Sequence, residues 1–241
     1  MRLDVYLAET GLARSRTHAD NLIKLGKVFV NGVPEGKPSR NVSDAETVTV
    51  DRADDYASLG GLKLVKAFDC FGISPAGKVC IDIGASNGGF TDVMLRGGAR
   101  KVYCVDIGEC ALPEEMRSDE RVAVRDRLNA RYLSFEDIGI KADIVTVDVS
   151  FISLTYILPA LVQFLDKDSV IIALVKPQFE VGRAELTKSG IVKSRRAALK
   201  AVENVKTFAG QLGLLSSDTA EAPHPFVNKN YEYLVAFRKK L

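Results

Sequence analysis

Apolar positions near the amino terminus recur at helical spacing. Leu3, Tyr6 and Leu7 follow the i, i+3, i+4 rule, and Gly11 supplies a stop. Ser15 is placed to cap a second helix, in which Ala19, Leu22 and Ile23 repeat the spacing before Gly26 ends it. The period then changes. Lys27 to Val30 reads as a strand, Asn31-Gly32 as a tight turn, and Glu46 to Val50 as a closing strand after a loop rich in turn formers.

Beyond residue 50 the pattern alternates. Short β-branched runs at Lys78 to Ile83, Lys101 to Val105, Ile144 to Asp148 and Ser169 to Val175 are separated by helical patterns at Phe90 to Arg96 and Leu154 to Leu165. A further helix is expected over Arg195 to Gly210, and a final strand over Tyr231 to Phe237. Strands alternating with helices predict an α/β protein with a doubly wound, mostly parallel, Rossmann-like sheet. The expected organisation is a small α+β domain at 1–50, a linker at 51–58 and a larger domain at 59–241.

Composition narrows the classes. The 241 residues carry 33 Lys+Arg against 31 Asp+Glu, a formal net charge of +2, which excludes a histone-like polycation and an acidic tail protein. Apolar residues at 46% and charged residues at 27% fit a globular chain. The apolar runs are too short to span a bilayer, and the amino terminus has no apolar leader region, so a cytoplasmic protein with no membrane partner is expected. Four cysteines without C-x-x-C spacing and only two histidines give no metal site, and free thiols fit a reducing compartment. His18 and His224 are expected to be structural or solvent-facing.

The central motif is Asp82-Ile83-Gly84-Ala85-Ser86-Asn87-Gly88-Gly89-Phe90, at the carboxyl end of the first strand of the larger domain. Glycines there let the backbone approach a dinucleotide, a nucleotide phosphate or an adenosyl cofactor. Ser86 stands where a dinucleotide fingerprint has its second glycine, and the Lys-Ser/Thr of a phosphate loop is missing. Asp82 would sit badly beside a pyrophosphate and suits a cofactor carrying an amine and a sulfonium. Asp106, ending the next strand, can accept ribose hydroxyls.

Two resemblances follow. Arg2-Leu3-Asp4, Ser15-Arg16 and Gly26-Lys27-Val28-Phe29-Val30-Asn31-Gly32 resemble the RNA-binding module of ribosomal protein S4. The resemblance implies that Arg2, Arg14, Arg16, Lys24 and Lys27 meet the phosphates of structured RNA. The glycine-rich motif resembles motif I of S-adenosylmethionine-dependent methyltransferases. Continued through Thr91-Asp92, it is similar to the TlyA family, haemolysin-named ribosomal RNA 2′-O-methyltransferases related to the FtsJ-type enzymes. Arg127-Leu128-Asn129-Ala130-Arg131-Tyr132, Asp148-Val149-Ser150-Phe151-Ile152-Ser153, Lys176-Pro177-Gln178-Phe179-Glu180 and Gly190-Ile191-Val192 extend the similarity along the chain.

The TlyA resemblance implies S-adenosylmethionine as cofactor, no metal, and a cytidine of ribosomal RNA within ribosomal subunits as substrate. It implies a catalytic tetrad of Lys63, Asp148, Lys176 and Glu232. Lys176 would accept the proton of the 2′-hydroxyl, assisted by Lys63, with Asp148 holding Lys176 and Glu232 positioning a lysine or the ribose. A lysine serves as a base only where its surroundings favour its neutral form. Cofactor contacts would come from Asp82, Gly84, Ala85, Ser86, Asn87, Gly88, Gly89, Phe90, Asp106, Ile107, Arg127, Leu128, Asn129 and Asp148. Phe90 and Phe151 read as core residues, and Phe179 as a flank for a flipped nucleotide. Two departures stand out: Leu59 replaces an arginine usual in the family, and the 108–115 stretch keeps little of the family's pattern. The rival readings are a non-catalytic ribosome-assembly factor and a membrane-acting haemolysin, the latter without an amphipathic cationic helix to support it.

Overall fold

A computed structural model describes residues 1–52, 55–223 and 229–240. It divides into two compact units, Met1–Asp55 and Tyr56–Leu241. His224 lies outside the described residues.

In the first unit, α1 (Leu3–Glu9) and α2 (Arg16–Lys24) pack against a three-stranded antiparallel sheet of β1 (Val28–Val30), β2 (Val33–Pro34) and β3 (Val48–Val50). Ser15 caps α2, its hydroxyl accepting the His18 N–H. Val30 pairs with Val33 across Asn31-Gly32, so the two-residue turn fixes the register. Leu3, Leu7, Ala19, Leu22, Ile23, Val28 and Val30 form the core, which is the helical and strand periodicity of the sequence realised in one cluster.

The second unit is built on a seven-stranded sheet. Its strands are β4 (Val79–Ile83), β5 (Lys101–Val105), β6 (Val122–Arg125), β7 (Ala142–Val147), β8 (Leu165–Val175), β9 (Leu214–Glu221) and β10 (Tyr233–Lys239). They lie in the order β6-β5-β4-β7-β8-β10-β9. Strands β4 to β8 run parallel to one another, and β10 is antiparallel to both β8 and β9. Side-chain alternation sends Ile81, Ile83, Val145, Val147, Ile171 and Ala173 to one face and Cys80, Val102, Ile144, Ile172 and Leu174 to the other, so both faces are buried. The long helices are α3 (Gly60–Phe71), α4 (Gly89–Arg96) and α8 (Arg195–Gln211). Between α4 and α8 lie the single turns α5 (Glu114–Arg117), α6 (Phe135–Ile138) and α7 (Leu158–Leu161). Helix α8 buries Ala198, Ala201, Val202, Val205 and Ala209, one stripe at helical spacing.

Three expectations are corrected. The helix expected over Leu154 to Leu165 is broken into a 3-10 turn at Leu154–Tyr156, α7, and a second 3-10 turn at Val162–Phe164. Pro159 has no N–H to continue a helical ladder, and Leu165 already begins β8. Strands β6 and β9 were not foreseen. The last strand starts at Tyr233, which leaves Glu232 immediately before it.

Candidate active site

Strand order reverses beside β4. The chain passes from β4 outward to β5 and β6, then returns to place β7 on the other side of β4. The crevice at the carboxyl ends of β4 and β7 is where an open α/β sheet binds ligands. Gly84 ends β4 with φ +83, and a Cβ there would lie 2.3 Å from the Asp148 carbonyl oxygen. Only glycine lets the two strand ends approach this closely.

Register then sets the charged side chains in a row. Val147 pairs with Ala173, and Val175 pairs with Tyr233. Asp148, one residue past β7, Lys176, one past β8, and Glu232, one before the antiparallel β10, therefore share the carboxyl edge. Helix α3 packs against β10 and adds Lys63. The four form two ion pairs: Lys176 Nζ lies 2.6 Å from Asp148 Oδ1, and Lys63 Nζ lies 2.5 Å from Glu232 Oε2. Lys176 also donates to Ser150 Oγ at 2.8 Å. A cavity of about 240 Å³ is lined by Ser58, Gly60, Lys63, Gly84, Ala85, Ser86, Gly89, Phe90, Asp148, Ser150 and Lys176. Ser58, Gly60 and Ser150 were not singled out by sequence. Ser150 sits inside a quoted motif, two residues after Asp148, and that spacing was its only signal.

Asp82 is placed elsewhere. It shares a sheet face with Thr146, its register partner, and is fully buried beneath the loop. Thr91 Oγ1 donates to Oδ2 at 2.7 Å and Thr146 Oγ1 to Oδ1 at 2.8 Å. Burial pushes its pKa up to about 6, with the two hydroxyls opposing the shift. Its carboxylate ties the first turn of α4 to β7. Ser86 takes a left-handed φ of 48 and donates its N–H to Asp106 Oδ2, while Gly108 N–H occupies Asp106 Oδ1. Ile107 is 71% exposed beside it. Leu128 and Arg127 are tied to the same edge by N–H bonds to the carbonyls of Asp106 and Gly108, and Asn129 caps the following 3-10 turn. Gly88 packs against Leu112 and Met116, which come from the atypical loop and α5.

Phe151 corrects another expectation. It is 91% exposed, with a left-handed φ of 64, and its ring lies 5.1 Å from that of Phe179. Phe90 is buried as expected. The loops bearing Phe151 and Phe179 are stitched by Glu180, whose carboxylate accepts Ser153 Oγ at 2.6 Å and Leu154 N–H at 2.8 Å. Burial raises the Glu180 pKa.

On the first unit, the five basic residues expected at RNA each have an acidic partner. Arg2 and Arg16 share the buried Asp4, each at 2.9 Å, and these guanidiniums, Arg2 first, hold its carboxyl well below the usual range. Arg14 reaches Asp55 at 3.0 Å, Lys24 reaches Asp20 at 2.5 Å, and Lys27 reaches Asp51 at 2.9 Å. His18 lies 2.9 Å from Asp55, and burial, then Arg14, lowers its pKa. All but Lys27 keep two-fifths or more of the side chain exposed. The cationic ends of these pairs are open to solvent, and a phosphate can compete for them.

This fold is that of an FtsJ-like methyltransferase preceded by an S4 domain. Residues 56–239 match the FtsJ-like methyltransferase family and residues 1–48 match the S4 domain. The chain is 44% identical over 239 residues to the 16S/23S rRNA (cytidine-2′-O)-methyltransferase TlyA of Mycobacterium tuberculosis, covering 98% of this chain and 89% of that one. It is 38% identical to hemolysin A of Brachyspira hyodysenteriae, covering 98% and 99%. A solved haemolysin-named protein of Streptococcus thermophilus superposes with a TM-score of 0.77 at 38% identity, covering 100% and 88%. The chain belongs to the TlyA family. Among the described residues, no helix is long and apolar enough to cross a membrane.

Proposed function

We propose that this chain transfers a methyl group from S-adenosylmethionine to the ribose 2′-hydroxyl of a cytidine in ribosomal RNA. The observation that carries the reading is that Lys176, Asp148 and Lys63 line one cavity at the switch point of a methyltransferase fold, Lys176 paired with Asp148 and Lys63 held by Glu232. The cofactor fits the residues present. A Cβ at Gly60 would project between Phe90 and Asp148, so its absence keeps the cavity open. Asp106 spends one lone pair of each oxygen on backbone N–H groups and retains another for a ribose hydroxyl. Exposed Ile107 offers an apolar surface to adenine. Asp82 acts indirectly, through the turn of α4 that it ties to β7.

S-adenosylmethionine supplies an electrophilic methyl on a sulfonium. Lys176 Nζ accepts the 2′-hydroxyl proton, and Asp148 and Ser150 hold the resulting ammonium. Glu232 holds Lys63, whose Nζ orients the ribose oxygen. Phe151 and Phe179 give the target base a ring to stack on. Arg2, Arg14, Arg16, Lys24 and Lys27 exchange their carboxylate partners for RNA phosphates. A ribosomal substrate implies action in the cytoplasm.

The test is transfer of labelled methyl from S-adenosylmethionine to purified 30S, 50S and 70S particles. Label is expected on ribose of a single type of cytidine site, and Lys176→Ala is expected to lose about 100-fold or more in kcat while still binding cofactor. Cofactor binding without label on any particle would overturn the reading in favour of a non-catalytic assembly factor.

A further inference from the structure

The described exposed aromatic side chains of the second unit are Tyr132, Phe151, Tyr156 and Tyr231. Tyr132 lies in the segment that leaves the carboxyl end of β6, Phe151 and Tyr156 in the segment that leaves that of β7, and Tyr231 just before the antiparallel β10. Folding does not require this, since a surface ring gains little from the core. Phe151 is accounted for by the target base.

Tyr231 lies against Arg195, whose Cζ is 5.6 Å from its ring centroid, which leaves Tyr132 and Tyr156, at 71% and 53% exposed, and one guanidinium joins them. Arg131 Cζ lies 4.5 Å from the Tyr156 ring centroid and 5.5 Å from that of Tyr132. Their supports are rigid. Ala130 and Leu154, the residues that open the two 3-10 turns, are buried in the same core cluster, which aims Tyr132 and Tyr156 outward. Asn129 and Ser153 cap these turns with side-chain acceptors. The segment bearing Tyr156 also carries Asp148, Ser150 and Phe151, five to eight residues earlier in the chain.

Resting on the reading above, we infer that Arg131, Tyr132 and Tyr156 form a second RNA subsite, a platform for a nucleotide next to the target in single-stranded RNA. An unstacked neighbour left behind by a flipped base presents a π-face and a phosphate. Tyr156 and Tyr132 supply rings for the first, and Arg131, exposed between them, supplies a cation for the second. Stacking of this kind tolerates any base. The platform therefore contributes to the hold on the strand and leaves the identity of the target to the cavity.

The experiment compares Tyr156→Ala, Tyr132→Ala, Arg131→Ala and the conservative Tyr156→Phe with the unaltered protein on the ribosomal particle that takes label. Tyr156→Ala is expected to raise KM for RNA by about 5- to 150-fold with little change in kcat or in calorimetric affinity for S-adenosylmethionine. Tyr156→Phe, which keeps the ring, should stay near the unaltered value. Arg131→Ala should weaken RNA binding and flatten its salt dependence. An unchanged KM in both tyrosine-to-alanine variants overturns the platform, as does a Tyr156→Phe defect equal to that of Tyr156→Ala. A matched fall in cofactor affinity and melting temperature also overturns it, by assigning the rings to packing. If the unaltered protein labels no particle, the reading beneath the proposal fails separately. Anisotropy of a fluorescein-labelled single-stranded cytidine-containing RNA hexamer then decides the platform, which requires tighter binding by the unaltered protein than by Tyr156→Ala.

Discussion

Asp82 is a fully buried carboxylate held by two threonine hydroxyls, and its pKa of about 6 has a measurable consequence. Between the ordinary value of 3.8 and about 6, the folded state binds more protons at this group than the unfolded state does. Its contribution to stability therefore falls as pH rises through that window, by roughly 3 kcal/mol in all. Asp82→Asn is expected to remove this slope. Denaturant unfolding at pH 5 and pH 7.5 checks it, the unaltered protein losing more stability on going to pH 7.5 than the variant. The acid was legible in the sequence because it precedes a glycine-rich turn, as Asp148 and Lys176 were because each ends an apolar run. Its orientation was not, since Thr91 comes from a helix and Thr146 from a strand 64 residues away. Phe151 was misread for a related reason: an aromatic just past a buried strand has no local signal that says whether its backbone will turn the ring outward.

At the scale of elements, the missed pieces are those whose pattern is weak. Strand β6 is half-buried along its length at one edge of the sheet, and β9, with Ser216, Ser217, Asp218 and Thr219, is a polar strand at the other. Neither carries the apolar run that marked β4, β7 and β8. Loops are also cross-linked to one another, and Glu180 shows how. Its carboxylate fastens the loop after β7 to the loop after β8, and these loops present Phe151 and Phe179 as a pair. Glu180 is a positioning residue. Glu180→Ala leaves the Leu154 N–H without its acceptor and is expected to lower kcat/KM for RNA by roughly tenfold, with cofactor affinity kept. Glu180→Gln retains an acceptor and should recover most of the loss. Parallel kinetics and calorimetry on the two variants check this, and equal defects would contradict it.

Over the whole molecule, a net charge of +2 leaves RNA binding to local patches rather than to the overall field. Arg16→Ala is expected to reduce the slope of log affinity against log salt by about 1, because one phosphate contact is removed. Filter binding to ribosomal RNA across a salt series measures it, and an unchanged slope would show that Arg16 stays with Asp4 in the complex. The chain's order of threading carries a further consequence. β10 follows β9 in sequence yet lies between β8 and β9, so those two strands are joined in the sheet only when β10 has paired with both. Until then β9 has no neighbour on its inner side, and Lys63 lacks Glu232. The Lys63–Glu232 ion pair is therefore a local reporter of β10 seated between β8 and β9.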